Sequence, residues 1–169
     1  MNNYDVMMMK SEDIYKLMKI LTNIGWKSIR ETSINRIIYL SAVLYSFRYP
    51  DESNIFKEDY MFTITLSGPE DPDIENALVN LESNDVIAQS EEGYKVSDNA
   101  SFSFKAKQDL RKTEWFEDIA YIVGIYGEDK IYDFIFRDPE YREALQGNSI
   151  YNLNIGEDNT TVKFLNSFR

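Results

Sequence analysis

The chain contains no cysteine and no histidine. The first absence removes disulfides, thiol nucleophiles and thiolate metal sites. The second removes the side chain that most often works as general acid or base near neutral pH. Glycine and proline are scarce too, 7 and 4 in 169 residues. No Gly-rich phosphate loop and no Gly-x-Ser-x-Gly elbow occurs. Carboxylates, Lys, Tyr39 and Ser41 remain as chemistry-bearing groups, but none has a recognisable partner spacing, and a carboxylate pair in an acidic chain is unspecific. Long apolar runs are also missing, since nothing approaches the roughly 18 residues of a membrane span. Met1 to Met9 carries Asp5 and only a three-residue Met run, too short for the apolar part of a secretory signal. These absences set the expectation of a cytoplasmic protein with no catalytic residues, no cofactor, no metal and no membrane contact.

What is present is apolar and acidic. Hydrophobic residues make up 43% of the chain, enough for a packed core. Aromatics reach 14%, with 12 Tyr and 10 Phe, a surplus that suits both a core and an interface. The net charge is −11 and is unevenly placed. Residues 1–57 carry 8 basic and 6 acidic side chains, whereas residues 58–102 carry Lys95 alone against 11 acids. That central third repels a phosphate backbone.

Periodicity sets out the elements. Ser11 reads as an N-cap, followed by Glu12 and Asp13 in a first turn and by an apolar stripe of Ile14, Leu17, Met18 and Leu21. A second helix, Ser33 to Phe47, is apolar around much of its circumference and is expected at the centre of the fold. Tyr60 to Leu66 alternates like a strand and stops at Ser67-Gly68-Pro69. A third helix opens at Pro72 and Asp73 and buries Ile74, Ala77, Leu78 and Leu81. Val86 to Gln89 and Tyr94 to Val96 flank Glu91-Glu92-Gly93 as a hairpin. Residues 102–147 read as helical, broken at Gly127 and restarted at Asp138-Pro139, and an irregular tail ends on Val162, Phe164, Leu165 and Phe168. The expected class is α+β: a mainly helical winged-helix-like domain over residues 1–100 with a small β-hairpin wing, then a helical C-terminal extension over 101–169.

Four constellations stand out. Gly68, Pro69, Glu70, Asp71 and Asp73 form either a strand-to-helix turn, with Asp73 as cap, or a rigid loop that presents Glu70 and Asp71 to a basic partner. A calcium loop over Asp71, Asp73 and Glu75 is disfavoured, because Asn76 stands where that pattern needs glycine. Lys105, Lys107, Arg111 and Lys112 form either a solvated helix start or a contact for nucleic acid or an acidic protein. Lys16, Lys19, Lys27, Arg30 and Arg36 offer a second basic patch. Phe164, Leu165 and Phe168 either dock on the core or bind another chain. The outward set expected on the third helix, Glu75, Asn76, Val79, Asn80, Glu82 and Ser83, holds no cation for phosphate or guanine contacts.

Asn35-Arg36-Ile37-Ile38-Tyr39-Leu40 through Tyr45, Asp59-Tyr60-Met61-Phe62, Ser67 to Ile74, Leu78, Leu81, Val86-Ile87 and Tyr94 together carry a resemblance. This stretch, about residues 33–97, resembles the small middle subunit of bacterial ABC three-component systems, including Lamassu-type anti-phage operons. It is also similar to the Panacea or SocA-like antitoxin domains, although Ser67 stands where those have an aromatic. The first resemblance implies a non-catalytic subunit that bridges an SMC-like or ABC-type ATPase to an effector such as a nuclease. The alternative is a nucleic-acid-binding winged-helix regulator or antitoxin.

Overall fold

The helix expected from Ser33 to Phe47 is the centre of the molecule. In the computed structural model, which describes residues 3–98, 110–146, 152–153, 155 and 158–168, it runs from Glu31 to Arg48. Ile34, Ile37, Ile38, Tyr39, Ala42 and Val43 are all buried, so it is covered on every side, as its all-round apolar pattern requires. The described residues form seven helices and five short strands: α1 (Asn3–Asn23), α2 (Glu31–Arg48), β1 (Phe62–Thr65), β2 (Gly68–Glu70), α3 (Pro72–Ser83), β3 (Ile87–Ser90), β4 (Gly93–Val96), α4 (Leu110–Tyr126), α5 (Glu128–Phe136), α6 (Pro139–Gln146), β5 (Asn152–Leu153) and α7 (Thr160–Asn166). The fold is α+β, with helices dominant. None of these helices is long and apolar enough to cross a membrane.

Helix α1 starts at Asn3, so Ser11 is not its cap. Met7-Met8-Met9 are good helix formers and carry the helix through this region. Ser11, Glu12 and Asp13 are buried in its middle, at 0%, 6% and 2% exposure. Ser11 and Asp13 find partners on neighbouring elements, since Asn80 Nδ2 donates to Ser11 Oγ at 3.2 Å and Tyr60 Oη donates to Asp13 at 2.9 Å, while Glu12 pairs within the helix with Lys16 at 3.1 Å.

The expected strand-to-helix loop contains a second strand. β1 turns at Leu66-Ser67 and returns as β2, with Thr65 opposite Gly68 and Thr63 opposite Glu70. Pro69 is tolerated because β2 is an edge strand of the sheet β2-β1-β5. The cap of α3 is Asp71 rather than Asp73: the Asp73 N–H donates to Asp71 Oδ1 at 2.8 Å, with Pro72 at the first helical position. Proline fits there because its missing N–H is one the helix leaves unpaired anyway.

The hairpin β3–β4 forms as expected, with Ser90 opposite Gly93. Ile29, between α1 and α2, exchanges two backbone hydrogen bonds with Tyr94, at 2.9 and 2.8 Å. Gly93 has φ +133°, and a Cβ there would lie 2.6 Å from the Ile29 carbonyl oxygen, so glycine is required for this close approach.

The residues after 100 share the core of those before it. Phe116, Ile119, Val123, Ile135, Tyr141, Ile155 and Val162 join Leu17, Leu21, Ile37 and Phe62 in one buried cluster. β5 pairs antiparallel with β1, placing Leu153 opposite Phe62. The tail is not wholly irregular, since α7 is capped by Asn159, which accepts from Val162 N–H at 3.1 Å. Its first residues bury against α2, where Tyr39 Oη meets Thr161 Oγ1 at 3.2 Å. Spacing alone hid this helix, because Asn154, Gly156 and Asn159 punctuate the approach to it.

Candidate functional site

Helix α4 is apolar on more sides than its packing uses. Phe116, Ile119, Ala120 and Val123 face the core. Tyr121 and Ile125 lie on the outer surface at 70% and 57% exposure. Ile24, 48% exposed at the end of α1, extends this strip: its Cδ1 lies 3.4 Å from where a Cβ on Gly124 would stand. Tyr126, 59% exposed, carries the strip round the end of α4.

There the surface opens into a groove of about 620 Å³ between α2, α4 and α5. Its apolar lining is Leu40 and Leu44 from α2, Ile122 and Tyr126 from α4, and Ile131 and Phe134 from α5. Lys130 and Asp133 on α5 and Arg137 at its C-cap, all exposed, complete it. A mainly apolar recess with a few charged groups is the common form of a binding site.

The outer wall of this groove is pinned from the far side of α5. Glu128 accepts from Arg30 at 3.1 Å and from Arg36 at 3.5 Å. Arg36 stacks its guanidinium on Tyr132, 3.9 Å from the ring centroid, and donates to the Ser67 carbonyl at 3.1 and 2.7 Å. Gly68, at φ +116°, lies beneath this stack: a Cβ there would approach Tyr132 Cε2 to 3.0 Å and Arg36 Nε to 3.3 Å. The Ser67-Gly68 turn therefore serves α5. Its sequence signature is a packing requirement.

The residues singled out by sequence fall in separate places. Gly68 and Pro69 are buried, Glu70 is exposed, and Asp71 is 2% exposed. Both carboxylate oxygens of Asp71 are engaged inside the chain: one caps α3, the other accepts from Met61 N–H at 3.0 Å and from Lys10 at 3.1 Å. Lys10 also reaches Asp73 at 2.8 Å, so an ammonium holds the two carboxylates that a calcium loop would share. A presented acidic loop is thus reduced to Glu70 and the half-exposed Asp73, because the buried Asp71 carboxylate is already taken up by the cap, Met61 N–H and Lys10. Phe164 and Leu165 are half-buried, whereas Phe168 is 73% exposed and meets Phe164 edge-on at 5.0 Å.

Of the basic cluster, Arg111 and Lys112 are engaged within the chain. Lys112 is 4% exposed and binds Asp13 at 3.0 Å and Asp59 at 3.3 Å. Arg111 pairs with Glu52 and lies over the rings of Tyr45 and Tyr49. Lys105 and Lys107 lie outside the described residues. In the second basic patch, Lys16 pairs with Glu12, and Arg30 and Arg36 pair with Glu128. Facing α3, by contrast, are acids: partial burial raises the Glu31 carboxyl above its ordinary range, and Glu75 and Glu70 raise it further.

Sequence reading missed the groove. Its signal was present in α4, where Tyr121, Ile122, Ile125 and Tyr126 add apolar positions beyond the single stripe a one-sided helix needs. The chain matches no protein-family model, no curated protein and no solved structure.

Proposed function

We propose that this protein is a cytoplasmic, non-catalytic accessory subunit that binds other proteins through the α2–α4–α5 groove and the adjoining strip on α4. The observation that carries this reading is the exposure of Ile24, Tyr121 and Ile125 on and beside the helix whose Tyr126, also exposed, lines the groove. Contiguous exposed apolar surface of this kind is unusual on a monomer and marks sites of association.

The order α1, α2, α3, β3, β4, with Ile29 bridged to Tyr94, supports a winged-helix unit. In that reading the β1–β2 hairpin is an insertion between its second and third helices. α3 then takes the position that reads DNA in nucleic-acid-binding relatives of the arrangement. Its outward Glu75, Asn76, Val79 and Ser83, together with Glu31 and Glu70, favour a protein-facing role instead. The resemblance over residues 33–97 supplies the partners of this reading: an SMC-like or ABC-type ATPase and an effector such as a nuclease, in a prokaryotic defence complex.

Co-expression with the neighbouring genes, followed by size-exclusion chromatography and mass spectrometry, tests it. The wild-type protein is expected to co-elute with a large ATPase. The paired variant Tyr121→Glu with Ile125→Glu should elute alone while keeping its circular dichroism spectrum and melting temperature. Wild-type protein that elutes without partners, or a variant that co-elutes unchanged, overturns the reading.

A further inference from the structure

Lys130 and Asp133 on α5 and Arg137 at its C-cap recur at intervals of three and four, so they form one row on the groove side of that helix. Lys130 and Arg137 stand two turns apart, about 10 Å along the axis. The ion pairs of the described residues draw on Lys10, Lys16, Arg30, Arg36, Arg111 and Lys112 and leave Lys130 and Arg137 out. On a chain of net charge −11, two cations outside these ion pairs therefore border the α2–α4–α5 groove.

The groove is also built before anything enters it. The Arg36–Tyr132 stack and the Glu128 ion pairs hold α5 from behind, so its wall need not be ordered on binding. Its apolar side chains come from three helices, and exposed Ile125 stands next to Tyr126 at its rim in the chain. An occupant that fills such a trough is elongated, apolar on one side and polar on the other.

We infer that the groove takes an amphipathic helix of a partner protein, with apolar anchors at i, i+3 or i+4, and i+7 seated against Leu44, Ile122 and Phe134. Carboxylates two turns apart on its edge face Lys130 and Arg137. The middle position of that edge, opposite Asp133, is basic or neutral, because a third carboxylate there meets a like charge. Such helix-in-groove recognition takes affinity from the anchors and register from the flanking charges. This inference rests on the reading that the α2–α4–α5 face binds protein, and it names the chemistry of what binds.

The test uses the full chain and two synthetic, fluorescein-labelled helical peptides with identical leucine anchors. One carries Glu at the two edge positions, the other Lys. Fluorescence anisotropy at low salt is expected to show the Glu peptide binding about tenfold more tightly, as two partly screened ion pairs allow. Raising the salt should narrow the gap. The double variant Lys130→Glu with Arg137→Glu should reverse the preference, and Tyr126→Glu should weaken both peptides without lowering the melting temperature.

Equal affinities, or a preference that survives the charge reversal, overturn the inference. So does a groove that binds a small amphiphile such as decanoate but neither peptide. Concentration-dependent self-association lost in Tyr126→Glu also overturns it, in favour of a second copy of this chain as occupant. If the peptides fail while Tyr121→Glu with Ile125→Glu still abolishes co-elution with a partner, the protein-binding reading stands and only this occupant falls.

Discussion

Lys112 and Asp13, 99 residues apart in sequence, meet at 3.0 Å where α4 crosses α1, with side chains 5% and 3% exposed. Lys112 also reaches Asp59 at 3.3 Å, and Asp13 also accepts from Tyr60. Burial works against the Lys112 ammonium, but Asp13 and Asp59 outweigh it and hold its pKa above the ordinary lysine value. Burial likewise pushes the Asp13 carboxyl up, against the pull of Lys112 and Tyr60. A lysine that looked like part of a surface patch is a bolt between α1 and α4.

Removing one half of such a pair leaves the other charged and buried. Lys112→Met is therefore expected to cost about 3–5 kcal/mol in urea unfolding. Adding Asp13→Asn to Lys112→Met should recover part of that loss, because the stranded carboxylate disappears. A single variant with unchanged stability would show that the pair does not hold α4 in solution.

Glu70 and Asp71 are adjacent and of like charge, yet their substitutions should differ sharply. Asp71→Ala removes a helix cap, orphans Met61 N–H and takes one carboxylate from buried Lys10. The expected cost is about 3 kcal/mol or more. Glu70→Gln, on the exposed edge of β2, should stay within about 0.5 kcal/mol. Thermal melts of the two variants, measured side by side, decide this.

Alkaline pH should unfold the protein through its buried tyrosines. Burial raises Tyr39 to about 12, and raises Tyr60 and Tyr141 as well, so all three keep their protons in the folded state above pH 10. In the unfolded chain they ionise near pH 10. Between these limits the folded state binds more protons, so stability falls as pH rises. Tyr39 alone contributes roughly 3 kcal/mol of this loss. Tyrosinate absorbance should rise in a slow phase that coincides with loss of helical circular dichroism. Complete ionisation with the helices intact would contradict it.

The sequence made α2, α3, the β3–β4 hairpin and much of the core legible, because each is specified by local periodicity or turn chemistry. What it hid was non-local. Asp13, Asp71 and Lys112 look like surface charges until folding brings Tyr60, Lys10 and Asp59 to them. β2 was hidden because three residues containing Gly68 and Pro69 have no strand pattern of their own, and Arg36 and Thr63 supply what holds them. The groove lies between three helices distant in sequence, and only the surplus apolar positions of α4 hinted at it.

The acidic front of α3 leads to a prediction about nucleic acid. Glu31, Glu70 and Glu75 are close enough to raise the pKa of the first, and Glu91 and Glu92 are exposed at the tip of the β3–β4 hairpin. Binding to duplex DNA needs cations that release its counterions. Even at about 50 mM salt, fluorescence anisotropy with a labelled duplex should therefore detect no affinity tighter than about 100 µM. The variant Glu70→Lys, Glu75→Lys, Glu91→Lys tests the geometry as well as the charge. If α3 and the hairpin share one face, as in a winged helix, three cations there create binding whose logarithm falls with log salt at a slope near −2.7. A wild-type protein that already binds with a steep salt slope would place its contact on another surface and favour the regulator over the accessory subunit.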